Sequence, residues 1–158
     1  MIDMMIDTME INSPILLHEN KNMVVDLKAR ILIADMGDDT CRNLQNYLEI
    51  HDQEVQITNL ANEIIPMTRR WLPNIIILSH RFCFGKEVSI CQKLLTNNRT
   101  AHIPLIVLLD QDNRMTRLEL LEMGVNDIIP KPFDLEELGL RIQSLVRLST
   151  AEQIKMSR

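Results

Sequence analysis

The sequence predicts an α/β fold, a doubly wound parallel sheet of five strands with helices on both faces. Three observations predict it. From Arg30 onward short apolar runs alternate regularly with amphipathic stretches. Several runs are nearly continuous, as strands covered on both faces have to be. The connections between them are short, and such alternation with short links gives crossover helices and parallel strands.

The elements follow in order. "RILIAD" (30–35) is the first strand. Gly37 and then Asp38 or Asp39 supply a turn and an N-cap for a helix whose apolar positions are Leu44, Tyr47 and Leu48. "EVQIT" (54–58) alternates like a more peripheral strand. A helix capped by Asn59 or Asn62 runs to about Trp71, with Pro66 implying a kink or a late start. "NIIILS" (74–79) is the third strand, and "KEVSICQKLLT" (86–96) the third helix, through Val88, Cys91, Leu94 and Leu95. "IPLIVLL" (103–109) is the fourth strand, and residues 113–124 form a helix closed by Gly124. "NDIIP" (126–130) is a short fifth strand. The last helix (134–148) starts on Asp134 with Glu137 at its third helical position, a capping-box arrangement.

Composition bounds the function. A net charge of −5 and the absence of a long Lys/Arg cluster argue against direct nucleic-acid binding. No apolar run reaches the ~18–20 residues of a membrane span, and acids occupy the N-terminus where a signal peptide needs bases. The cytoplasm is the expected compartment. Cys41, Cys83 and Cys91 have no paired spacing and read as reduced thiols. A zinc site from His80, Cys83 and Cys91 lacks any C-x-x-C pair.

In doubly wound sheets ligands sit beyond the carboxyl ends of the strands. The positions that matter are therefore Asp35, Ser79, Leu109 and the loop after Ile129. Around these positions, "ILIADMGDD", "PNIIIL", "GKEV", "HIPLIVLL" and "MGVNDIIPKPFDLEEL" resemble the receiver domain of two-component response regulators, in the flavodoxin-like (βα)5 group. The resemblance covers about Arg30 to Leu148. It divides the chain into an N-terminal extension (1–28), a receiver-like domain (29–149) and a C-terminal tail or linker (150–158).

The resemblance implies a phosphoacceptor aspartate at the end of the third strand and two acids ending the first strand that help hold Mg²⁺. It also implies a Thr or Ser ending the fourth strand, an aromatic switch residue in the fifth strand, and a Lys-Pro after it. Here Asp35 matches the first acid, but Met36 stands for the second, Ser79 for the phosphoacceptor, Leu109 for the hydroxyl and Ile128 for the aromatic. Lys131 and Pro132 are kept, and a cis bond between them is expected, with Lys131 reaching Asp35. A serine hydroxyl without an adjacent base is a poor nucleophile, and one carboxylate beside a thioether is a poor magnesium site.

The reading is of a pseudo-receiver, not an enzyme and without a cofactor, that signals through protein–protein contact in a two-component or phosphorelay-type pathway. The resemblance places the docking or homodimer face on the fourth helix, fifth strand and fifth helix, at about Thr116–Met123 and Glu136–Arg147; the N-terminal extension is a second candidate. One alternative is an atypical regulator switched by another modification or a ligand. Another is a flavodoxin-like cofactor binder, against which stands the lack of a Gly-, Ser- or Thr-rich loop after the first strand. The extension carries Met5, Ile6, Ile15, Leu16, Leu17, Val24 and Val25, an apolar set that needs a partner surface. Deleting residues 1–28 is expected to lower the melting temperature or change the mass measured by light scattering; no change in either refutes a packing or self-association role.

Overall fold

Residues 28–85 and 89–156 are described by the computed structural model. The expectations for the extension through residue 27, and for a third helix opening at 86–88, lie outside them. The chain forms β1 (Arg30–Ala34), α1 (Asp39–Ile50), β2 (Glu54–Thr58), α2 (Ala61–Trp71), β3 (Ile75–Ser79), α3 (Ile90–Thr96), β4 (Leu105–Leu109), α4 (Arg114–Met123), β5 (Asp127–Pro130) and α5 (Leu135–Met156), with a 3₁₀ turn at His80–Phe82. All strand pairs are parallel, in the order β2-β1-β3-β4-β5. The five-stranded flavodoxin-like sheet expected from sequence is therefore the observed one. Its order reverses between β1 and β3, so the carboxyl ends of these two strands flank the switch point.

Strand periodicity divides the apolar residues between two layers. Ile31, Ile33, Ile75, Ile77, Ile106 and Leu108 face α1 and α5, meeting Leu44, Leu48, Leu138 and Ile142. Leu32, Ala34, Ile76, Leu78, Leu105, Val107 and Leu109 face the other way, toward Ile64, Cys91, Leu94 and Leu120 of α2, α3 and α4. β1, β3 and β4 are buried on both faces, which is why their sequences are unbroken apolar runs. β2, at the edge, has only Thr58 buried and alternates.

Most helix starts agree with their cap chemistry. Asp38 accepts from Cys41 N (3.2 Å), Asn113 from Met115 N (2.8 Å) and Asp134 from Glu137 N (2.8 Å). α2 differs from expectation: Leu60, not Asn59 or Asn62, occupies the N-cap, and no side chain caps the helix. Thr58 supplies the local bonds instead, accepting from Leu60 N (3.1 Å) and donating to Glu63 (2.9 Å). Pro66 lies inside the helix, as its position implied. α3 is capped by Ser89, which accepts from Gln92 N at 3.0 Å. α5 does not stop at Leu148; it continues through the predicted tail to Met156, since 149–156 hold no glycine or proline to end it.

α5 crosses α1 where Gly139 meets Tyr47, and a Cβ at 139 would lie 3.0 Å from Tyr47 Cε1. Gly139→Leu is expected to lower unfolding free energy in urea by about 1–3 kcal/mol through overpacking. A variant as stable as the parent would show that this crossing has slack.

Candidate functional site at the carboxyl end of the sheet

The site is built by the chain leaving each central strand. β1 ends into Asp35, 2% exposed, whose backbone N donates to Thr58 O (3.1 Å). The chain then turns through Gly37, at φ 93°, a left-handed conformation that favours glycine. That turn delivers Asp38 to the first turn of α1. β5 ends at Pro130, and the Lys131–Pro132 bond is cis, as expected. The Lys131 ammonium lies 3.1 Å from Asp35 Oδ2, 2.9 Å from Asp38 Oδ2 and 3.4 Å from Asp110 Oδ1. Its side chain is only 10% exposed.

Two further groups complete the cluster. The Cys41 thiol donates to Asp35 Oδ2 at 2.7 Å. Arg81 Nε donates to Asp110 Oδ2 at 2.8 Å, fixing Asp110 from its far side. Burial works against the Lys131 charge, but hydrogen bonds to Asp38 and Asp35 outweigh it and raise the lysine pKa above its ordinary value. The Lys131 hydrogen bond holds Asp38 below the usual carboxylate range. Burial opposes ionisation of Asp110, yet the Arg81 bond and the Lys131 charge hold it low as well. Burial, followed by the bond to Asp35, pushes the Cys41 thiol up.

The expected site residues divide. Asp35 and Lys131 meet as anticipated. Met36 is 53% exposed and holds nothing. Ser79 ends β3, is buried, and turns its hydroxyl oxygen to accept from Arg81 N (3.4 Å), capping the 3₁₀ turn. Leu109 is fully buried with Leu105 and Val107 in the α2–α4 layer, and Ile128 is buried in the same layer. Asp38, which the sequence offered as a helix cap, and Asp110 belong to the cluster, as do Arg81 and Cys41, which the sequence reading did not place there. Asp110 was legible as the first residue beyond β4, and Cys41 as the residue whose N–H an Asp38 cap would bind. His80, Cys83 and Cys91 form no metal group among the described residues: His80 Nδ1 faces Asp110 N (3.4 Å), and the two cysteines are buried thiols.

Asp35, Asp38 and Cys41 bring three donor atoms within 4.8 Å of one another. They are a poor match for magnesium, which wants near-octahedral oxygen ligands. One of the three is a neutral thiol, and both carboxylates already bind the lysine ammonium.

A sequence profile of the response regulator receiver domain matches residues 31–143. The chain belongs to that family. Response regulator PleD of Caulobacter vibrioides is 32% identical over 121 residues, covering 77% of this chain and 27% of that protein. Response regulator MprA of Mycobacterium leprae is 30% identical over 132 residues, covering 81% and 57% respectively. The chain thus spans about a quarter to somewhat over half the length of these two relatives. Among solved structures, a response regulator from Desulfuromonas acetoxidans is 25% identical, with a TM-score of 0.69 over 75% of this chain and 97% of that one. NtrX from Brucella abortus, 16% identical, shares the fold, with a TM-score of 0.72 over 83% of this chain and 29% of its own. The protein is a receiver-type signalling module of two-component systems, and among the described residues no helix is long and apolar enough to cross a membrane.

The cluster generates two expectations. Lys131→Met leaves Asp35 buried with only a thiol partner and should destabilise the fold by about 3–5 kcal/mol, measured by urea denaturation. Adding Asp35→Asn should recover part of that loss; no recovery would show that the pair is not the cause. Stability should also fall on the alkaline side. Cys41 keeps its proton in the fold above the 9.0 at which the free thiol ionises, so the stability it contributes declines as pH rises past that value. Lys131 adds to the decline above 10.5. Cys41→Ala should flatten the slope between about pH 9 and 10.5 by up to about 1.4 kcal/mol per pH unit; an unchanged slope refutes the assignment.

Proposed function

We propose that this receiver is a pseudo-receiver, signalling by protein contact without accepting a phosphoryl group. The observation that carries the reading is the engaged Lys131, whose ammonium is held by Asp35, Asp38 and Asp110. In an active site of this kind a divalent cation and a phosphoryl oxygen would need those same groups. Three side chains point the same way. Ser79 offers a buried hydroxyl with no carboxylate or imidazole base bonded to it. Met36 is not an oxygen ligand. Leu109 fills a packed layer where a hydroxyl would have to move, and its burial is worth about 1.5–3 kcal/mol. Filling and pairing both favour one conformation over a two-state equilibrium.

The partner surface proposed is α4–β5–α5. It exposes Leu118, Leu121 and Leu140 beside Arg141, which bridges Asp127 and Glu137, and Arg117, which pairs with Asp112. Apolar residues set among fixed ion pairs suit a protein contact, whether with another protein or a second copy. Direct nucleic-acid binding, a cofactor and an enzymatic activity of this domain are not part of the proposal.

Incubated with acetyl phosphate and Mg²⁺, the protein should show no hydroxylamine-labile adduct by intact mass, and beryllofluoride should leave its amide shifts unchanged. The triple variant Met36→Asp, Ser79→Asp, Leu109→Thr should gain the labile adduct. Labelling of the parent chain would overturn the proposal and favour an atypical but active regulator.

A further inference from the structure

A cavity of about 510 Å³ opens at the opposite, amino end of the sheet. It lies between the starts of β1, β3 and β4, the end of α2 and the last turns of α5. Arg30, Arg69, Arg99 and His102 line it, and no carboxylate does. None of the three arginines has a carboxylate partner among the ion pairs of the described residues. This contrasts with Arg81, Arg117 and Arg141, which are all paired. Among the described residues, three guanidiniums around one hollow thus have no carboxylate beside them.

The cavity has structure beyond its charge. Pro73, Ile103 and Val146 line it and are buried, giving an apolar floor. Arg30 Nη2 donates to Leu72 O at 2.9 Å, which holds one guanidinium in place. Leu72 reaches that position through a left-handed φ of 52°, which is uncommon for a leucine. The fourth wall comes from Ser149, Thr150 and Gln153, on the part of α5 that extends past Leu148.

We propose that this cavity binds a nucleoside diphosphate or a closely similar organic phosphate. Guanidinium forks match phosphate oxygens in pairs, and three of them balance the roughly three negative charges of such a ligand at neutral pH. The volume lies within the range of small-ligand sites, about 300–1,000 Å³, and the apolar floor provides for a ring system. Binding would bear directly on α5, whose final turns form one wall. The inference does not depend on the pseudo-receiver reading, because it uses none of the residues around Lys131.

The test is titration calorimetry of the intact chain with ADP and GDP in low salt without magnesium, together with pyrophosphate and adenosine. A 1:1 complex is expected with at least one of the two nucleotides, while pyrophosphate alone and adenosine alone bind about tenfold or more weakly. Arg69→Ala and Arg99→Ala, both at exposed positions, should each weaken binding by about tenfold with the melting temperature unchanged. Arg42→Ala, at an exposed position of α1 away from the cavity lining, should leave the affinity unaltered. Amide shifts on binding should centre on residues 69–74, 99–103 and 146–153. The proposal is overturned if neither nucleotide binds, if a double variant carrying Arg69→Ala and Arg99→Ala binds as well as the parent, or if Arg42→Ala weakens binding as much as either cavity substitution. Pyrophosphate binding as tightly as the nucleotides would overturn the ligand class in favour of a plain polyphosphate.

Discussion

A single ammonium group ties together the carboxyl end of this sheet. Lys131 leaves β5 and reaches carboxylates from three other places: the end of β1, the cap of α1 and the start of the loop after β4. Without it, three acids would face one another around a buried centre, and Asp35 at 2% exposure has no water to screen it. Like-charge repulsion and desolvation would then loosen the strand ends. With it, each acid has a partner, and Asp110 gains a second one in Arg81. The lysine therefore performs structurally what a bound divalent cation performs in a site of clustered acids. It is covalently attached and always present, which supports the proposal of a receiver without a metal-loaded and an empty state.

The fold was legible because the two apolar layers impose two periodicities that do not conflict. Continuous runs such as 75–78 and 105–109 mark strands buried on both faces, and Leu138, Ile142 and Leu145 mark a helix with one buried stripe. What failed to show were features set by geometry across the chain. Leu60 stands at the N-cap of α2 with no side-chain bond to the helix, and Thr58, at the end of an edge strand, accepts from Leu60 N and donates to Glu63. The extension of α5 falls in the stretch expected to be a tail or linker, although Ala151, Glu152, Gln153 and Lys155 are good helix formers.

The site shows the same division. Asp35, Ser79 and Lys131 were legible because strand ends and a Lys-Pro step carry a local signal. Cys41 and Arg81 were not, since their roles depend on partners 6 and 29 residues away that only the folded chain brings close. Asp38 combines two roles that a sequence reading sees as alternatives: one carboxylate oxygen caps α1 and the other binds Lys131. A short acidic side chain can do both only because the Gly37 turn sets it between the helix start and the cluster.

The two ends of the sheet differ in how completely their charges are paired, and this bears on where a signal could enter. At the carboxyl end the described acids and bases satisfy one another, and Leu109 and Ile128 are packed solid. A ligand arriving there would have to break existing ion pairs before making its own. At the amino end the arginines have no carboxylate partner among the described residues and the hollow is open, so an anion would break no ion pair described there. The desolvation cost favours entry at the amino end. That end also touches α5, which continues to Met156, through Val146, Ser149 and Gln153. A group bound between the strand starts and these last turns would alter how firmly the helix is held, and a change in α5 reaches the exposed Leu140 and Arg141 within a few turns of the same rigid rod. The proposed contact face and the basic cavity thus share one helix, which would give the proposed pseudo-receiver a physical route for regulation.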